Sequence, residues 1–477
     1  MSVDPLYDAL LAAPADPAAR ALAARYAPII LFDQREPFLP LAAGYTLFRA
    51  DAPSPSFPRA ITLGAADRAP AQLAIEYAIW WDWDIQHLYE LEHVWVYLDA
   101  AGQLIHAEAS WHGGFQAMRY HGSIPRDGDH ALICSEPGKH AFAPHPDWFA
   151  ERATPHPRAT TNALAGMGGL LVTQLFQGQI ARTPLADTLA RTFLARQAFT
   201  PSYAFDRRFA FEPGQLVPWP ALRDWVPQRI AWWVERLARE IAPADYRPLR
   251  IGHRGAAAHA PDNSLAGIDA AARLGADAVE IDVQLTRDGI SVAAHDLALR
   301  GADGGARLIA DSTLAELRAT PGGAQLATLD EVIACCRERR LGLYLELKAG
   351  AAIAPMLDVL RQQEFDELIV GSFRPDWLAD LKAAAPDLPT AVLFSAPAID
   401  ACALARAAHA DYVHPCWEWR DARPDALITP EWVARVRAAG LGIISWHEER
   451  PDVIASLRRH GVDGICSDRP ELLQEQA

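Results

Sequence analysis

In the C-terminal half, short runs of apolar and β-branched residues alternate with longer stretches whose apolar positions recur at helical spacing. Runs at 249–253, 278–283, 290–295, 341–347, 368–373, 390–394, 411–415, 441–446 and 463–467 read as strands. Between most of them lie Ala/Leu/Arg-rich stretches such as WLADLKAAAP and EWVARVRAAG, which read as helices. This rhythm predicts a (β/α)₈ barrel, a TIM barrel, with its site at the C-terminal ends of the strands. There is one strand too many for eight, and the link from the second run to the third is too short for a parallel crossover. One hairpin strand is therefore expected outside the ring, and the pattern leaves open which.

The N-terminal half is patterned differently. Segments 25–32, 75–85, 92–99 and 129–135 read as strands, although 75–85 mixes two periodicities. The expectation is a β-rich domain, a β-sandwich, with a helical extension. That extension is 222–241, where Leu222, Trp225, Val226, Ile230, Trp233, Val234, Leu237 and Ile241 share one face. Arginines lie around that face, so a membrane-surface role competes with packing against the protein body, and packing is the preferred reading. GMGGLLVTQLF, 166–176, reads as a buried helix with a glycine-rich entry, and it lacks the Gly-Lys-Ser/Thr of a phosphate loop. Prolines in IAPADYRPLR, 241–250, separate the long helix from the first barrel strand. A chain of 477 residues exceeds one ordinary core, and two domains are expected, 1–246 and 247–477.

Composition narrows the function. A net charge of −16 argues against general nucleic-acid binding, which needs cations to neutralise phosphates. The N-terminus has no basic start and no long apolar run, and no segment has the length and apolarity of a membrane span. The six cysteines lack disulfide-framework or zinc spacing, so a cytoplasmic protein is expected.

The densest chemistry lies at 251–296. Glu280 and Asp282 alternate on one strand and share a face. Two carboxylates side by side repel unless a cation sits between them, and oxygen ligands favour Mg²⁺ or Ca²⁺. If the following strand pairs back as a hairpin, His295 falls opposite Glu280 or Asp282. Glu346 and Lys348 repeat the alternation in LYLELK, projecting an anionic ligand and a phosphate-pairing cation together. His253, His295 and this carboxylate set make a kit for metal-assisted acid/base chemistry at a phosphate.

The segments GHRG, PDNS, EIDVQLTRDGISVAAHD, ATLDEV, ELK and DGICSDRP, in this order, resemble the glycerophosphodiester phosphodiesterase family. The resemblance implies a phosphodiesterase barrel with Glu280, Asp282 and Glu346 as ligands of a divalent metal. It implies His253 and His295 as the acid/base pair, and Arg254 and Lys348 at the phosphate, with Asn263 and Trp446 also in the site. In the family the substrate's glycerol hydroxyl attacks first and water opens the resulting cyclic phosphate, so glycerol 3-phosphate and an alcohol are the implied products. The chain departs from the family in three places. PDNS replaces PENT, so Asp262 stands where a glutamate is usual. His447 and Glu448 follow Trp446 where Thr-Val-Asn is usual. The segment between Asp296 and ATLDEV is short. These departures favour, as an alternative substrate, a lysophospholipid or another phosphodiester.

The N-terminal sequence WWDWDIQHLYELEHVWVYLD carries Asp82, Asp84, His87, Glu90, Glu92 and His93, with His112 and His140 downstream. It distantly resembles the β-sandwich family of necrosis-inducing and vacuolar-sorting-associated proteins. Those carry His…Asp-Trp-Glu and a later His-Ala motif, for which His87…Glu92-His93 and Gly138-Lys139-His140-Ala141 are the counterparts, without an intact Asp-Trp-Glu. A second metal site built from His87, Glu92, His93, His112 and His140 is one reading. A structural hydrogen-bond network is the other. A glycan- or lipid-binding module carried by the barrel is the third view of this half. The partner expected for the whole chain is a small-molecule glycerophosphodiester.

Overall fold

Alternating strand and helix in the C-terminal half close into a ring. The strands Leu249–Gly252, Ala278–Leu285, Gly342–Leu347, Leu368–Ser372, Thr390–Phe394, Tyr412–Pro415, Gly442–Ser445 and Gly464–Ser467 pair in parallel with their neighbours. The first strand pairs with both the second and the last, which closes the barrel. The supernumerary strand is Ser291–Ala293, which pairs antiparallel with Ala278–Leu285 outside the ring. The computed structural model describes residues 4–64, 69–152, 165–300, 305–365 and 367–474.

Local chemistry fixes the barrel helices. Ser264 caps Leu265–Arg273 by accepting from the Gly267 N–H. Thr328 and Glu331 form a reciprocal capping box that starts Leu329–Arg339, which explains the ATLDEV sequence. Strands such as Ala278–Leu285 are buried along nearly their whole length, because the interior packing covers one face and the helices cover the other.

The chain divides into two compact units, Met1–Arg182 with Leu189–Glu240, and Thr183–Thr188 with Ile241–Ala477. The first unit holds a seven-stranded sheet with the order Leu216–Pro218, Ala42–Phe48, Leu73–Trp83, His87–Leu98, Leu104–Trp111, Gly114–Ala117, to which Gly169–Leu170 adds beside His87–Leu98. A five-stranded sheet centres on Ile29–Phe32 and His130–Ser135. One core draws Ile30, Phe32 and Ile133 from the smaller sheet and Tyr77, Ile79, Trp81, Val94 and Val96 from the larger.

Leu73–Trp83 is buried at every position, which explains its mixed sequence pattern. Its other face lies partly under the helix Trp219–Glu240, where Trp80 meets Trp225 edge-on at 5.8 Å. That helix buries Trp219, Leu222, Trp225, Val226 and Ile230. Gly44 permits its approach, since a Cβ there would lie 3.0 Å from both Trp219 and Leu222. The segment expected as a glycine-rich buried helix is instead a turn, the strand Gly169–Leu170 and a short 3₁₀ turn, Gln174–Phe176. Gly166 and Gly169 adopt left-handed φ values of 78° and 62°, which a helix cannot contain. Among the described residues, no helix is long and apolar enough to cross a membrane.

Candidate active site

Parallel register brings the barrel carboxylates together. Asp282 lies directly beside Glu346 across two neighbouring strands, and Glu280 is two residues back on the same face as Asp282. The three are buried, and they present oxygens within 4.8 Å of one another. Lys348 Nζ donates to Glu346 Oε1 at 2.5 Å and lies 3.1 Å from Asp282 Oδ1. Glu280 Oε1 and Glu346 Oε2 are buried with no hydrogen-bond donor. Burial, then the neighbouring Asp282 and Glu346, lifts Glu280 well above the carboxylate range. Burial also raises Glu346, against the pull of Lys348. Lys348 and Arg254, whose Nε lies 3.5 Å from Asp282 Oδ2, set two positive charges against three buried carboxylates, and an all-oxygen donor set suits a hard divalent cation.

The first barrel strand delivers the next groups. His253 follows its last residue, and Arg254 and Asn263 both adopt left-handed backbone, with φ 48° and 55°. Gly255, at φ +94°, lets the loop turn, since a Cβ there would lie 2.6 Å from the Gly267 backbone. The turn aims the Arg254 N–H at Glu280 Oε2, at 2.9 Å. Arg254 Nη1 donates to Asp262 Oδ2 at 2.8 Å, so the shorter residue of PDNS still reaches the guanidinium. Asn263 clamps Asp282 twice. Its Nδ2 donates to Oδ2 at 2.7 Å, and its Oδ1 accepts from the Asp282 N–H at 2.8 Å.

His253 is buried, with Nδ1 2.5 Å from Asp468 Oδ1 and Nε2 3.9 Å from Glu280 Oε2. Burial holds it below the usual imidazole value although Asp468 pulls the other way. Trp446 meets its ring edge-on at 4.9 Å, and His447 stacks on it at 4.6 Å. His447 Nδ1 lies 3.2 Å from Glu449 Oε1, which also accepts the Asp468 N–H at 2.9 Å. Burial opposes protonation of His447, but Glu449, Asp468 and Glu418 raise it on balance. Asp468 and Glu449 are parts of the site that sequence reasoning did not assign. Asp468 stood within DGICSDRP, and the signal was the motif itself.

One expectation is corrected. The hairpin pairs Val283 with Ala293, and the Ala294 N–H donates to Asp282 O. Ala294, not His295, therefore stands across from Asp282. His295 follows one residue past the pairing, with Nδ1 2.8 Å from Asp296 Oδ1. It nevertheless lines a cavity of about 490 Å³ with His253, Arg254, Glu346, Lys348, Trp446 and His447. Of the two unusual residues after Trp446, His447 faces this cavity, whereas buried Glu448 folds back to accept from the Arg450 N–H at 2.8 Å and Nε at 2.6 Å.

In the N-terminal unit, Asp84, His87 and Glu90 present ligand-type atoms within 4.8 Å of one another. His87 Nδ1 is 2.7 Å from Tyr89 O, and its Nε2 is 3.7 Å from Asp84 and 3.8 Å from Glu90. Lys139 pairs with Asp84 and lies 3.5 Å from His87 Nε2. Burial pushes His87 down to about 4, lifts Glu90 well above the carboxylate range and pushes Glu92 up to about 7. The other named candidates have separate partners. Glu92 accepts from Ser110, and His112 pairs with Glu136 at 2.9 Å. His140 stacks on Trp81 at 4.7 Å and lies 3.4 Å from Glu36. His93, on the opposite strand face from Glu92, meets Ser56 Oγ at 3.0 Å.

The sequence model of the Glycerophosphoryl diester phosphodiesterase family matches residues 253–472. The chain is 29% identical over 242 residues to the glycerophosphodiester phosphodiesterase of Caldanaerobacter subterraneus subsp. tengcongensis, spanning 48% of this chain and 96% of that one. It is 30% identical over 254 residues to a Mycobacterium tuberculosis protein named "Probable glycerophosphodiester phosphodiesterase 2", spanning 48% of this chain and 92% of that one. A solved Oleispira antarctica phosphodiesterase, in complex with its product sn-glycerol-3-phosphate, is similar at 30% identity and a TM-score of 0.42, covering 47% of this chain and 94% of that one. Through its C-terminal barrel, this chain belongs to the glycerophosphoryl diester phosphodiesterase family.

Proposed function

We propose that the barrel hydrolyses glycerophosphodiesters to glycerol 3-phosphate and an alcohol, and that it depends on a divalent cation such as Mg²⁺ or Ca²⁺. The observation that carries this reading is the convergence of His253, Arg254, Lys348 and the buried trio Glu280, Asp282 and Glu346, all from barrel strands or the residues just after them, with His295, which the hairpin strand outside the ring brings to the same cavity. Glu280, Asp282 and Glu346 would hold the cation. When bound, it supplies positive charge against the charge that develops on the phosphoryl oxygens.

The chain's own groups do the rest. Arg254 and Lys348 bind the phosphodiester anion, and Asn263 holds Asp282 in orientation through its two hydrogen bonds. His253 and His295 move the protons, one accepting from the nucleophile and one donating to the leaving oxygen. Asp468 fixes the His253 ring by holding Nδ1, which leaves Nε2 for the proton in transit. Trp446 walls the ring on its edge. In this reading, residues 247–477 form the catalytic domain and 1–246 an appended domain.

The test is release of glycerol 3-phosphate from glycerophosphodiesters, with Mg²⁺ or Ca²⁺ and with a chelator, for wild type and His295→Ala. Metal-dependent release that falls about 10²–10⁴-fold in the variant is the expected outcome. No release by the wild type with any divalent cation would remove the assignment.

A second reading concerns the N-terminal unit, where the closeness of Asp84, His87 and Glu90 favours a divalent-cation site distinct from that of the barrel. Lys139 already supplies one positive charge to Asp84, so cation binding there requires Lys139 to move aside. Metal titration followed by calorimetry, comparing wild type with His87→Ala, tests this.

A further inference from the structure

The barrel cavity holds a carboxylate that the phosphate chemistry does not use. Glu418 lines the same cavity as His253, Arg254 and Lys348. Its Oε2 is buried with no donor, and His447 across the cavity attracts it without a hydrogen bond. Two aromatic side chains that line the same cavity face water. Trp419 is 85% exposed and Phe373 44%. The adjacent Arg420 attracts the carboxylate through space but gives it no hydrogen bond. Its guanidinium is tied to Ser395, with Nε donating to the backbone oxygen at 2.9 Å and Nη2 to Oγ at 3.1 Å.

We propose that Glu418, Trp419 and Phe373 form a subsite for a positively charged alcohol moiety, an ammonium-bearing group on the phosphodiester held in the barrel cavity. The inference rests on the reading of the barrel as a glycerophosphodiester hydrolase, and it names the alcohol. Open aromatic faces attract an ammonium through the ring quadrupole, and indole is the strongest of them. A carboxylate in the same cavity supplies the formal counter-charge. Burial already lifts Glu418 above the ordinary carboxylate range, and an ammonium beside it relieves that cost. A neutral polyol offers neither interaction. An acyl chain would use the aromatic faces but would leave the buried carboxylate oxygen without a donor. The cavity, about 490 Å³, falls within the range of roughly 300–1,000 Å³ usual for small-molecule sites.

The experiment is a ratio. For the full-length protein with divalent metal, kcat/KM is measured on glycerophosphocholine, whose alcohol is cationic, and on glycerophosphoglycerol, whose alcohol is neutral. The ratio of the two does not depend on how much of a preparation is folded. Wild type is expected to favour the choline ester. In Glu418→Gln and in Trp419→Ala the ratio is expected to fall about 3–30-fold, the span of one cation–π or charge contact at a partly exposed site. A ratio near one in the wild type overturns the subsite, as does a ratio that neither variant changes or equal losses on both esters. Absence of turnover on either ester in the wild type removes the hydrolase reading itself, and the subsite with it. That result is distinct from turnover without selectivity.

Discussion

Three carboxylates buried within 4.8 Å of one another repel in the absence of a cation, and the protein tolerates them at a cost to its fold. Glu280 carries the clearest sign of this. Its folded-state value lies well above that of the unfolded chain, so the folded state binds the proton more tightly. Its contribution to stability is therefore present at low pH and lost as pH rises. Glu280→Gln is expected to raise the thermal midpoint of metal-free protein by a few degrees at neutral pH, and to abolish the gain that added Mg²⁺ or Ca²⁺ gives the wild type. A midpoint that falls in the variant would show that Glu280 stabilises the apo fold. His93 has the opposite sign. Burial holds it near 3, so the unfolded chain takes up the proton first, below the ordinary value of 6.5. The stability it contributes is complete above that value and is lost as pH falls toward 3, at about 1.4 kcal/mol per pH unit. The His93→Gln variant should lose this slope, and denaturant unfolding at several pH values between 4 and 6.5 measures the difference.

At the scale of elements, what the sequence disclosed and what it withheld have the same physical origin. Side chains two apart on a strand share a face whatever the fold, so the alternation in EID and ELK is enough to pair Glu280 with Asp282 and Glu346 with Lys348. The hairpin register depended on where pairing ends. It moved His295 one residue past the expected position, because Ala294 takes the place beside Asp282. Leu73–Trp83 hid its period because it is covered on both faces. Asp468 and Glu449 went unassigned because their importance lies in what they touch, His253 and His447, and not in their own spacing. The loop after the first barrel strand gives a test at this scale. Gly255→Ala forces a side chain into left-handed backbone and toward the Gly267 backbone. The expected cost is at least about 1–2 kcal/mol. The larger effect should be on activity, roughly a hundredfold fall in glycerol 3-phosphate release, because the same turn aims Arg254 and its N–H at the carboxylates. An alanine variant with full activity and an unchanged midpoint would show that this turn positions nothing.

For the whole molecule, the division into two units has a thermodynamic consequence. Each unit carries its own core. In the N-terminal unit it lies between two sheets, and in the barrel it lies between strands and helices. A chain built this way is expected to unfold in two calorimetric transitions, not one. The charged groups provide separate handles on them. Arg229 is buried in the N-terminal unit and bonds Asp82 at 2.9 and 2.6 Å, with Asp4 as a further partner. Removing one side of a buried pair leaves the other charge uncompensated, at about 3–5 kcal/mol, so Arg229→Ala should lower one transition by roughly 10 °C. The barrel responds to the other handle. Divalent metal at about a hundred times its Kd adds about 2.7 kcal/mol to whichever unit binds it, which is about 5–10 °C for a unit of this size. If the carboxylates of the barrel are the metal site, Mg²⁺ or Ca²⁺ should raise the transition that Arg229→Ala leaves in place, and Glu346→Gln should cancel that rise. If metal raised the Arg229-sensitive transition as well, the cluster of Asp84, His87 and Glu90 would be a second site, and His87→Ala should then remove that second rise without touching the first.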